Sequence, residues 1–414
     1  MMPVMYLPAL PPALPPFHGQ PQPCLPGRLH ARLHEHRHAR LLAPRRLLGA
    51  ALAGLALLAL LPAPAKAQAE LNVKAVKVAD GLSHPWSLAF LPDGRMLVTE
   101  RPGRLRVIGP EGRVSEPVAG LPPVHAANQC GLLEVLAHPN FKTDPWIYWS
   151  YAEGNADANG LAVARGRLDG LKLRDVQVIF RQAPKVDSSA HCAGRMAFAP
   201  DGKLFVTLGD RFKRKDDAPR LDNHLGKVVR LNDDGSVPAD NPYLKTPGAR
   251  PELWSVGHRN PQGAAIHPGT GELWTHEHGP QGGDELNLDR PGRNYGWPVI
   301  THGRNYGTGT SIGEGSSGPG VEAPLKVWQP VSVAPSGLAF VTSPRYPGWQ
   351  GSLVMGTLRG QTLLRLSLDG PQVVGEQRLL TTLNERIRDV RQGPDGWLYL
   401  LTDSPDGRLL RLER

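Results

Sequence analysis

The stretch of sequence that decides the fold is Met196-Ala-Phe-Ala-Pro-Asp-Gly202, a short apolar strand followed by a Pro-Asp-Gly turn. Variants of this phrase occur six times, and their prolines are Pro92, Pro139, Pro200, Pro268, Pro344 and Pro394. The spacings of 47, 61, 68, 76 and 50 residues leave room for about four short strands in each repeat. The repeats predict an all-β fold, a six-bladed β-propeller, with a β-sandwich of the same strands as the alternative.

The segments around these repeats also indicate strands. Apolar residues come in runs of four to six with β-branched or aromatic members, such as residues 204–208 and 397–401, bounded by Gly, Pro and Asp. From residue 68 onward, Gly and Pro make up roughly a fifth of the chain, which is above average and suits many turns. The strand-like segment 71–77 is predicted to pair with the last blade and close the ring.

The start of the chain carries the pattern of an export signal. Two arginines precede an apolar run at 47–61, and Ala65 and Ala67 suit cleavage after residue 67. The paired arginines are also compatible with a twin-arginine signal. A membrane anchor is the alternative, but the 15 apolar residues are fewer than the roughly 20 that span a bilayer.

Most of the net positive charge lies in the same N-terminal segment, before residue 68. Residues 1–67 hold seven basic side chains and one acid, which is +6 of the +9 formal charge, and residues 68–414 carry only +3. A basic bulk charge would suit nucleic acid, but this surplus belongs to the leader, so no nucleic-acid partner is expected. We expect residues 1–67 to be a cleaved or disordered leader. Residues 68–414 are predicted to form a single propeller domain, periplasmic or secreted, without stable membrane insertion.

The phase of the repeat predicts a site. In a propeller, the innermost strand of each blade lines the axial channel, and its start shares a rim with the end of the next, antiparallel strand. Polar residues occur at both phases. At inner-strand starts they are His84, Gln129, His191, Arg259, Asn260, Ser336, Arg386 and Arg388; at second-strand ends they are Glu100, Arg101, Glu153, Asp210, Glu277, His278, Arg359 and Asp403. They predict a charged mouth that holds an anionic small molecule, with ordinary solvated loop residues as the alternative.

Five ordered motifs resemble the soluble, pyrroloquinoline quinone (PQQ)-dependent aldose or glucose dehydrogenases. They are residues 190–210, Gly257-His-Arg-Asn-Pro-Gln-Gly263, Glu277-His-Gly-Pro-Gln-Gly-Gly-Asp-Glu-Leu-Asn287, Gly292-Arg-Asn-Tyr-Gly-Trp-Pro298 and Arg386-Ile-Arg-Asp-Val390. The resemblance runs from about residue 71 to the C-terminus. It implies a periplasmic six-bladed propeller with PQQ and Ca²⁺ at the channel mouth, which oxidises the anomeric hydroxyl of aldoses to lactones by hydride transfer to calcium-bound PQQ. The electron acceptor, whether quinone, cytochrome or dye, stays unidentified.

The resemblance assigns the catalytic base to His191. Removing a hydride from a sugar carbinol requires a base for the hydroxyl proton, and a neutral imidazole operates near pH 7. Asp210 follows one strand later on the same rim and matches the carboxylate that orients and polarises the imidazole. A buried structural histidine is the alternative for His191.

Further residues match cofactor or metal positions of this family. Forked guanidinium groups suit the carboxylates of PQQ, and the matching cofactor-contact residues are Gln129, Arg259, Asn260, Tyr306, Arg359, Arg386 and Arg388. Ca²⁺ takes oxygen ligands, including backbone carbonyls. The carbonyls of Gly279 and Pro280 match ligands of the cofactor-bound ion, and Glu285 with the Tyr295 carbonyl matches a second, structural calcium site.

Two positions depart from the glucose dehydrogenase pattern. Arg359 stands where those enzymes carry a lysine on the quinone, which keeps the charge but changes its shape. Ala190 stands where they carry an aspartate that contacts the sugar, so a broad aldose range is expected rather than selective glucose binding.

Two questions stay open at the level of sequence. Cys130 follows Gln129 and Cys192 follows His191, so in an oxidising compartment these cysteines either form a disulfide beside the site or remain packed thiols. The rival functions are a metal-dependent propeller lactonase or other hydrolase, and a non-enzymatic sugar- or protein-binding propeller. A lactonase would need carboxylates and Asn side chains around a metal at the axis, where this sequence offers Arg and His.

Overall fold

The computed structural model describes residues 71–414. This part of the chain contains 23 strands in six sheets and one 3₁₀ turn at Lys215–Asp217. The first strand, β1, is Lys74–Leu82. Each later group of three or four antiparallel strands in chain order forms one blade, so the predicted six-bladed β-propeller is confirmed.

Within each blade the strands run outward from the axis in chain order, with β1 as the exception at the outer edge of blade 6. Blade 1 is β2 (Pro85–Phe90), β3 (Met96–Glu100) and β4 (Arg104–Ile108); blade 2 is β5 (Leu132–Ala137), β6 (Trp146–Gly154), β7 (Asn159–Asp169) and β8 (Lys172–Arg181). Blade 3 is β9 (Met196–Phe198), β10 (Leu204–Leu208), β11 (Lys227–Leu231) and β12 (Leu253–Val256); blade 4 is β13 (Pro261–Ile266), β14 (Leu273–Glu277), β15 (Asp284–Asp289) and β16 (Lys326–Trp328). Blade 5 is β17 (Pro335–Phe340), β18 (Leu353–Thr357), β19 (Leu363–Asp369) and β20 (Gln372–Leu379); blade 6 contains β21 (Ile387–Gln392), β22 (Leu398–Thr402) and β23 (Gly407–Glu413). All six copies of the repeated phrase fall on innermost strands.

The ring closes as predicted, by pairing of the first strand with the last. β1 lies antiparallel to β23, with Lys74 opposite Glu413, and so becomes the outer strand of blade 6. The innermost strands contact one another in order around the axis, and β21 contacts β2. Because the N-terminal strand completes the last blade, both ends of the domain are held in one sheet.

The runs of apolar residues are explained by burial on both faces of a blade. Every residue of β10 and of β22 is buried, because each blade is covered by a neighbour on either side. One apolar cluster joins blades 2 and 3, with Tyr148 and Val206 among its members. Strands that are covered twice need no alternation of apolar and polar residues, which accounts for the continuous runs in the sequence.

The axis of the propeller is filled by ion pairs. Arg195, directly before β9, donates to Asp389 and Glu134 at 2.8 and 3.2 Å and to backbone carbonyls in β13 and β21. Its guanidinium also lies 3.9 Å from the centre of the Trp86 ring. Arg391 pairs with the same two carboxylates. This axial cluster of Arg195, Glu134, Asp389 and Arg391 links five of the six innermost strands.

Blade 1 has three strands where four were expected. The segment after β4 covers the edge of that strand irregularly: the amides of Ser115 and Val118 donate to carbonyls of β4 at 2.8 Å. Pro117 lies between these two residues and cannot donate a ladder hydrogen bond. The chain therefore shields the edge of the blade without forming a regular fourth strand.

The predicted leader and its cleavage site lie outside the described residues, so that prediction stays a prediction. Residues 71–414 contain no helix with the length and apolar content that crossing a bilayer requires.

Candidate active site

Two neighbouring cavities open at one mouth of the channel, where inner strands start and second strands end. The channel cavity, of about 370 Å³, is lined by Arg101, Asn128, Gln129, Asn260, Gln262, His278, Ala334, Leu358, Arg386, Arg388 and Asp403. The histidine cavity, of about 140 Å³, is lined by His191, Asp210, Phe212, Lys215, Arg259, Pro280, Trp297, Asn305, Tyr306 and Ile312. The consecutive residues Arg259 and Asn260 line one cavity each, so these cavities are neighbours.

His191 and Asp210 form a buried pair. The distance from Nδ1 of His191 to Oδ1 of Asp210 is 2.6 Å. The same carboxylate accepts the Phe212 amide at 2.8 Å and, on Oδ2, the Trp297 indole N–H at 2.7 Å. Because Nδ1 is bound to Asp210, Nε2 is the ring nitrogen left for a substrate.

The environment keeps this pair in the charge state that a base requires. Burial lowers the pKa of His191, with a smaller contribution from the nearby charge of Arg259, although the Asp210 carboxylate opposes the shift. Burial alone would raise the pKa of Asp210, but its hydrogen bond to His191 and the positive groups around it hold that pKa below the ordinary value. At neutral pH, the pair is therefore a neutral imidazole beside a carboxylate.

The backbone that carries this pair is strained. His191 has φ of +48°, and Arg211 and Phe212, which follow Asp210, have φ of +58° and +64°. The chain after β10 passes so close to His191 that a Cβ at Gly209 would lie 2.0 Å from the His191 carbonyl oxygen. Non-glycine residues rarely adopt positive φ, and such strain is concentrated at functional sites.

The channel cavity holds the two predicted arginines of blade 6. Arg388 donates to Oδ2 of Asp403 at 2.6 Å, and Arg386 donates to the same oxygen at 3.1 Å. Oδ1 of Asp403 lies 3.1 Å from Nδ1 of His84. Burial raises the pKa of Asp403, but the two guanidinium charges outweigh it and lower that pKa strongly. The side-chain Nε of Arg388 is buried and has no partner among the described residues.

Arg259 and Asn260 are positioned by a buried network of hydrogen bonds and charges around Glu277. Oε2 of Glu277 accepts both of their backbone amides, and Oε1 lies 3.0 Å from Nδ1 of His258. Burial opposes protonation of His258, but the carboxylates of Asp289 and Glu277 raise its pKa to about 10. A cationic His258 therefore orients Glu277, which fixes the start of β13.

Two long loops form part of the histidine cavity. Their length also explains why the repeats in the middle of the sequence are spaced more widely than the others. The loop between β10 and β11 brings Phe212, half exposed, to 5.2 Å from the His191 ring, edge to face. The longer loop between β15 and β16 carries Trp297 and Tyr306, and the latter is 58% exposed. Aromatic faces of this kind suit the C–H faces of a sugar ring.

The oxygen donors expected for calcium lie at and beside one small void. Gly279, Glu285 and Tyr295 line this void of about 10 Å³, roughly the room for one water or one ion, together with Glu277. The Gly279 carbonyl accepts a hydrogen bond from Nη1 of Arg259 at 2.7 Å, and Pro280 lines the histidine cavity. Burial and the charge of Glu277 raise the pKa of Glu285 well above its ordinary value.

The predicted cofactor residues divide between the cavities. Gln129, Asn260, Arg386 and Arg388 line the channel cavity, Arg259 and Tyr306 line the histidine cavity, and exposed Arg359 lines neither. Gln129 accepts the His191 amide at 2.8 Å. Next to these two residues, Cys130 and Cys192 form a disulfide with a Cα separation of 5.5 Å, the first of the two alternatives that the sequence left open.

The sequence prediction missed Trp297 and His258 as functional supports. Trp297 lies in the motif 292–298 and His258 lies in the motif 257–263, so both residues belong to segments that resemble the family. Their partners, Asp210 for Trp297 and Glu277 and Asp289 for His258, lie 19 to 87 residues away. Membership in a motif was visible in the sequence, but the contact that defines each role was not.

These features define a propeller with a charged mouth site, and the comparisons with known proteins agree. The chain belongs to the Glucose / Sorbosone dehydrogenase family, whose model matches residues 82–411. The family resemblance inferred from the five motifs is thus confirmed.

Relatives cover nearly the same span. The chain is 45% identical over 352 residues to an aldose sugar dehydrogenase of Escherichia coli, covering 84% of this chain and 94% of that protein. The apo crystal structure of the soluble E. coli aldose sugar dehydrogenase superposes with a TM-score of 0.80 at 43% identity, covering 83% and 99% of the two chains. The PQQ-bound aldose sugar dehydrogenase of Streptomyces coelicolor gives 0.69 at 30% identity, covering 83% and 98%.

Proposed function

We propose that this protein is a PQQ-dependent aldose dehydrogenase that oxidises the anomeric hydroxyl of sugars to lactones. The observation that carries the proposal is the buried pair of His191 and Asp210, 2.6 Å apart, beside a cavity rich in guanidinium groups. Relatives described as aldose sugar dehydrogenases, one of them solved with PQQ bound, support it. Bound PQQ would supply the two-electron oxidant that accepts the hydride from the sugar carbon.

In this proposal, the protein supplies the base. Nε2 of His191 takes the proton of the anomeric hydroxyl as the C–H bond breaks, and the resulting imidazolium is stabilised by Asp210. The carboxylate stays in place because Trp297 and the Phe212 amide hold its oxygens. The lowered pKa of His191 keeps the base neutral, and hence active, down to pH values below its ordinary 6.5.

The channel cavity suits a planar ligand with several carboxylates. Arg386 and Arg388 present guanidinium forks, and the buried Nε of Arg388 lacks a partner in the described part of the chain. Gln129 and Asn260 add amide groups for ring carbonyls, and Arg259 and Tyr306 extend the contact on the side of the histidine. Arg359 would contribute from the rim, since its neighbour Leu358 lines the cavity.

These oxygen donors suit Ca²⁺, and we propose two adjoining calcium sites. A cofactor-bound ion would be coordinated by the carbonyls of Gly279 and Pro280. The Gly279 carbonyl would then also accept the hydrogen bond from Arg259. A structural ion would sit between Glu285 and the Tyr295 carbonyl, where the void is also lined by Glu277. Two buried carboxylates around one void form a donor set that a divalent cation balances.

The remaining parts of the proposal concern substrate range and location. Ala190 provides no carboxylate to hydrogen-bond the sugar, so a broad range of aldoses is expected. The electron acceptor is expected to be a quinone, cytochrome or dye. The leader directs the protein to the periplasm or outside the cell.

Reconstitution tests the proposal. Apo-protein supplied with PQQ and Ca²⁺ should reduce a dye in the presence of aldoses, and omission of Ca²⁺ should reduce the rate. His191→Ala should lower turnover by about 100- to 10,000-fold while PQQ still binds, as measured by titration. His267→Ala, a histidine that caps a turn at the opposite rim, is the matched control and should leave turnover unchanged. No aldose oxidation by protein shown to contain PQQ would refute the proposal.

A further inference from the structure

Arg101 differs from the other arginines of the channel cavity in its charge balance. Three guanidinium groups line this cavity, those of Arg101, Arg386 and Arg388, against one carboxylate, that of Asp403. Nε2 of His278, the fifth ionisable side chain of the lining, lies 2.8 Å from the Pro335 carbonyl oxygen. The cavity therefore has an excess of about two positive charges.

Among residues 71–414, Asp403 supplies the one carboxylate that lines the cavity, and both of its oxygens already have partners other than Arg101. Oδ2 of Asp403 is shared by Arg386 and Arg388, and Oδ1 faces His84. Within residues 71–414, Arg101 forms no ion pair with any Asp or Glu, whereas both blade 6 arginines do. One of these two excess positive charges thus lies at Arg101, and the other is shared by Arg386 and Arg388, which have one carboxylate between them.

The position of Arg101 is fixed by its backbone and by one side-chain bond. Its amide donates to the His84 carbonyl at 3.0 Å, and its carbonyl accepts the Leu132 amide at 3.1 Å. One Nη1 proton goes to the Asn128 carbonyl. The guanidinium has five N–H donors in a rigid fork, so this single bond orients the group and leaves a donor pair for a ligand.

We propose that Arg101 binds a carboxylate of the anionic ligand of the channel cavity, as a third guanidinium beside Arg386 and Arg388. The inference rests on the proposed function, because it takes PQQ, a planar tricarboxylate, as that ligand. Arg101 is not among the positions that the family resemblance assigned to cofactor contact. Blades 1 and 6 are neighbours, so the three arginines surround the cavity from two adjacent blades and match the number of carboxylates on the ligand.

Binding of two probes tests the role of Arg101. Calorimetric titration of the full protein with PQQ in the presence of Ca²⁺ should give a Kd about tenfold higher for Arg101→Gln, since charge-assisted hydrogen bonds are stronger than neutral ones. Arg101→Lys should recover most of this loss because it keeps the charge. Arg113→Gln is the matched control: it removes the same charge from the same blade, at the turn on the opposite rim, and should bind as the unaltered protein does. Added salt should weaken binding less in Arg101→Gln than in the unaltered protein.

The second probe separates this inference from the proposed function. Trimellitate is a planar aromatic tricarboxylate without quinone chemistry. If the unaltered protein binds PQQ and Arg101→Gln binds it equally well, the role of Arg101 is refuted and the dehydrogenase proposal stands. If the protein binds trimellitate with dependence on Arg101 but does not bind PQQ, the dehydrogenase proposal fails and the anion site stands. Failure to bind either probe refutes both. Thermal unfolding of each variant identifies any loss that comes from misfolding.

Discussion

Arginines occur in two layers of the propeller axis, and the layers differ in charge balance and in space. In the axial cluster, Arg195 and Arg391 face Glu134 and Asp389, two cations against two carboxylates. At the mouth, three arginines of the described region face the one carboxylate there, that of Asp403, around a cavity of about 370 Å³. The layers are in direct contact, because Arg195 donates to the Arg388 carbonyl at 2.8 Å.

The contrast shows how one residue type takes two roles in one fold. A buried guanidinium with all its charge compensated and no adjacent space holds the innermost strands together. A guanidinium that is only partly compensated and faces a cavity is available to a ligand. Charge counting around each arginine, rather than its presence near the axis, therefore separates structural residues from binding residues.

The largest effect is expected from removing a charge in the axial cluster. Arg195→Met would leave Glu134 and Asp389 buried with only Arg391 as partner, and loss of one partner of a buried pair costs about 3–5 kcal/mol. The midpoint of urea unfolding should fall accordingly. Arg408→Gln, which removes a partly exposed pair with Glu385, should cost at most about 1 kcal/mol. Equal losses in the two variants would contradict the structural role of the axial layer.

This fold was predictable because its signals are local and repeated. Each copy of the phrase at 87–94 or 196–202 carries its own strand and turn chemistry, and six copies determine the number of blades. The irregular fourth segment of blade 1 was missed, although Pro117 marks it. Local signals report elements and their order, so they predicted the rim on which His191 and Asp210 meet.

The axial cluster could not be predicted, because each of its contacts joins distant parts of the chain. Arg195 reaches Glu134 across 61 residues and Asp389 across 194. In the sequence, Arg195 lies in the motif 190–210, but nothing in that motif indicates its distant partners. The repeat pattern placed Arg101 on the rim, but its lack of a carboxylate partner depends on its three-dimensional surroundings and could not be predicted.

The disulfide lies at the wall of the mouth and gives the second largest expected effect. Cys130 and Cys192 are separated by 62 residues and follow Gln129 and His191. Replacing both cysteines by alanine should lower the free energy of unfolding by about 2–4 kcal/mol, since the bond restricts the unfolded chain. PQQ binding should weaken too, because the bond keeps Gln129 against the His191 amide.

Urea unfolding with and without reductant measures this contribution. The double alanine variant serves as the control, because reductant should not change its stability. A chain that starts at residue 68 carries only these two cysteines. Two titratable thiols in that chain, unfolded without reductant, would contradict the disulfide and confine the structural contribution to the axial cluster.

The smallest effect is expected at Trp297, which carries no charge itself but modulates the charge of Asp210 through a hydrogen bond. Trp297→Phe keeps an aromatic ring but removes the 2.7 Å hydrogen bond to Oδ2 of Asp210. The Asp210 carboxylate then keeps more of its negative charge for His191, so the pKa of the imidazole rises and the acid limb of the kcat profile moves to higher pH. The less firmly held carboxylate should also lower kcat about tenfold at pH 8. A purely structural tryptophan would change kcat or stability without moving the limb, so pH profiles of the two proteins distinguish these roles. An unshifted limb would show that Trp297 is a structural residue and does not set the charge that Asp210 presents to His191.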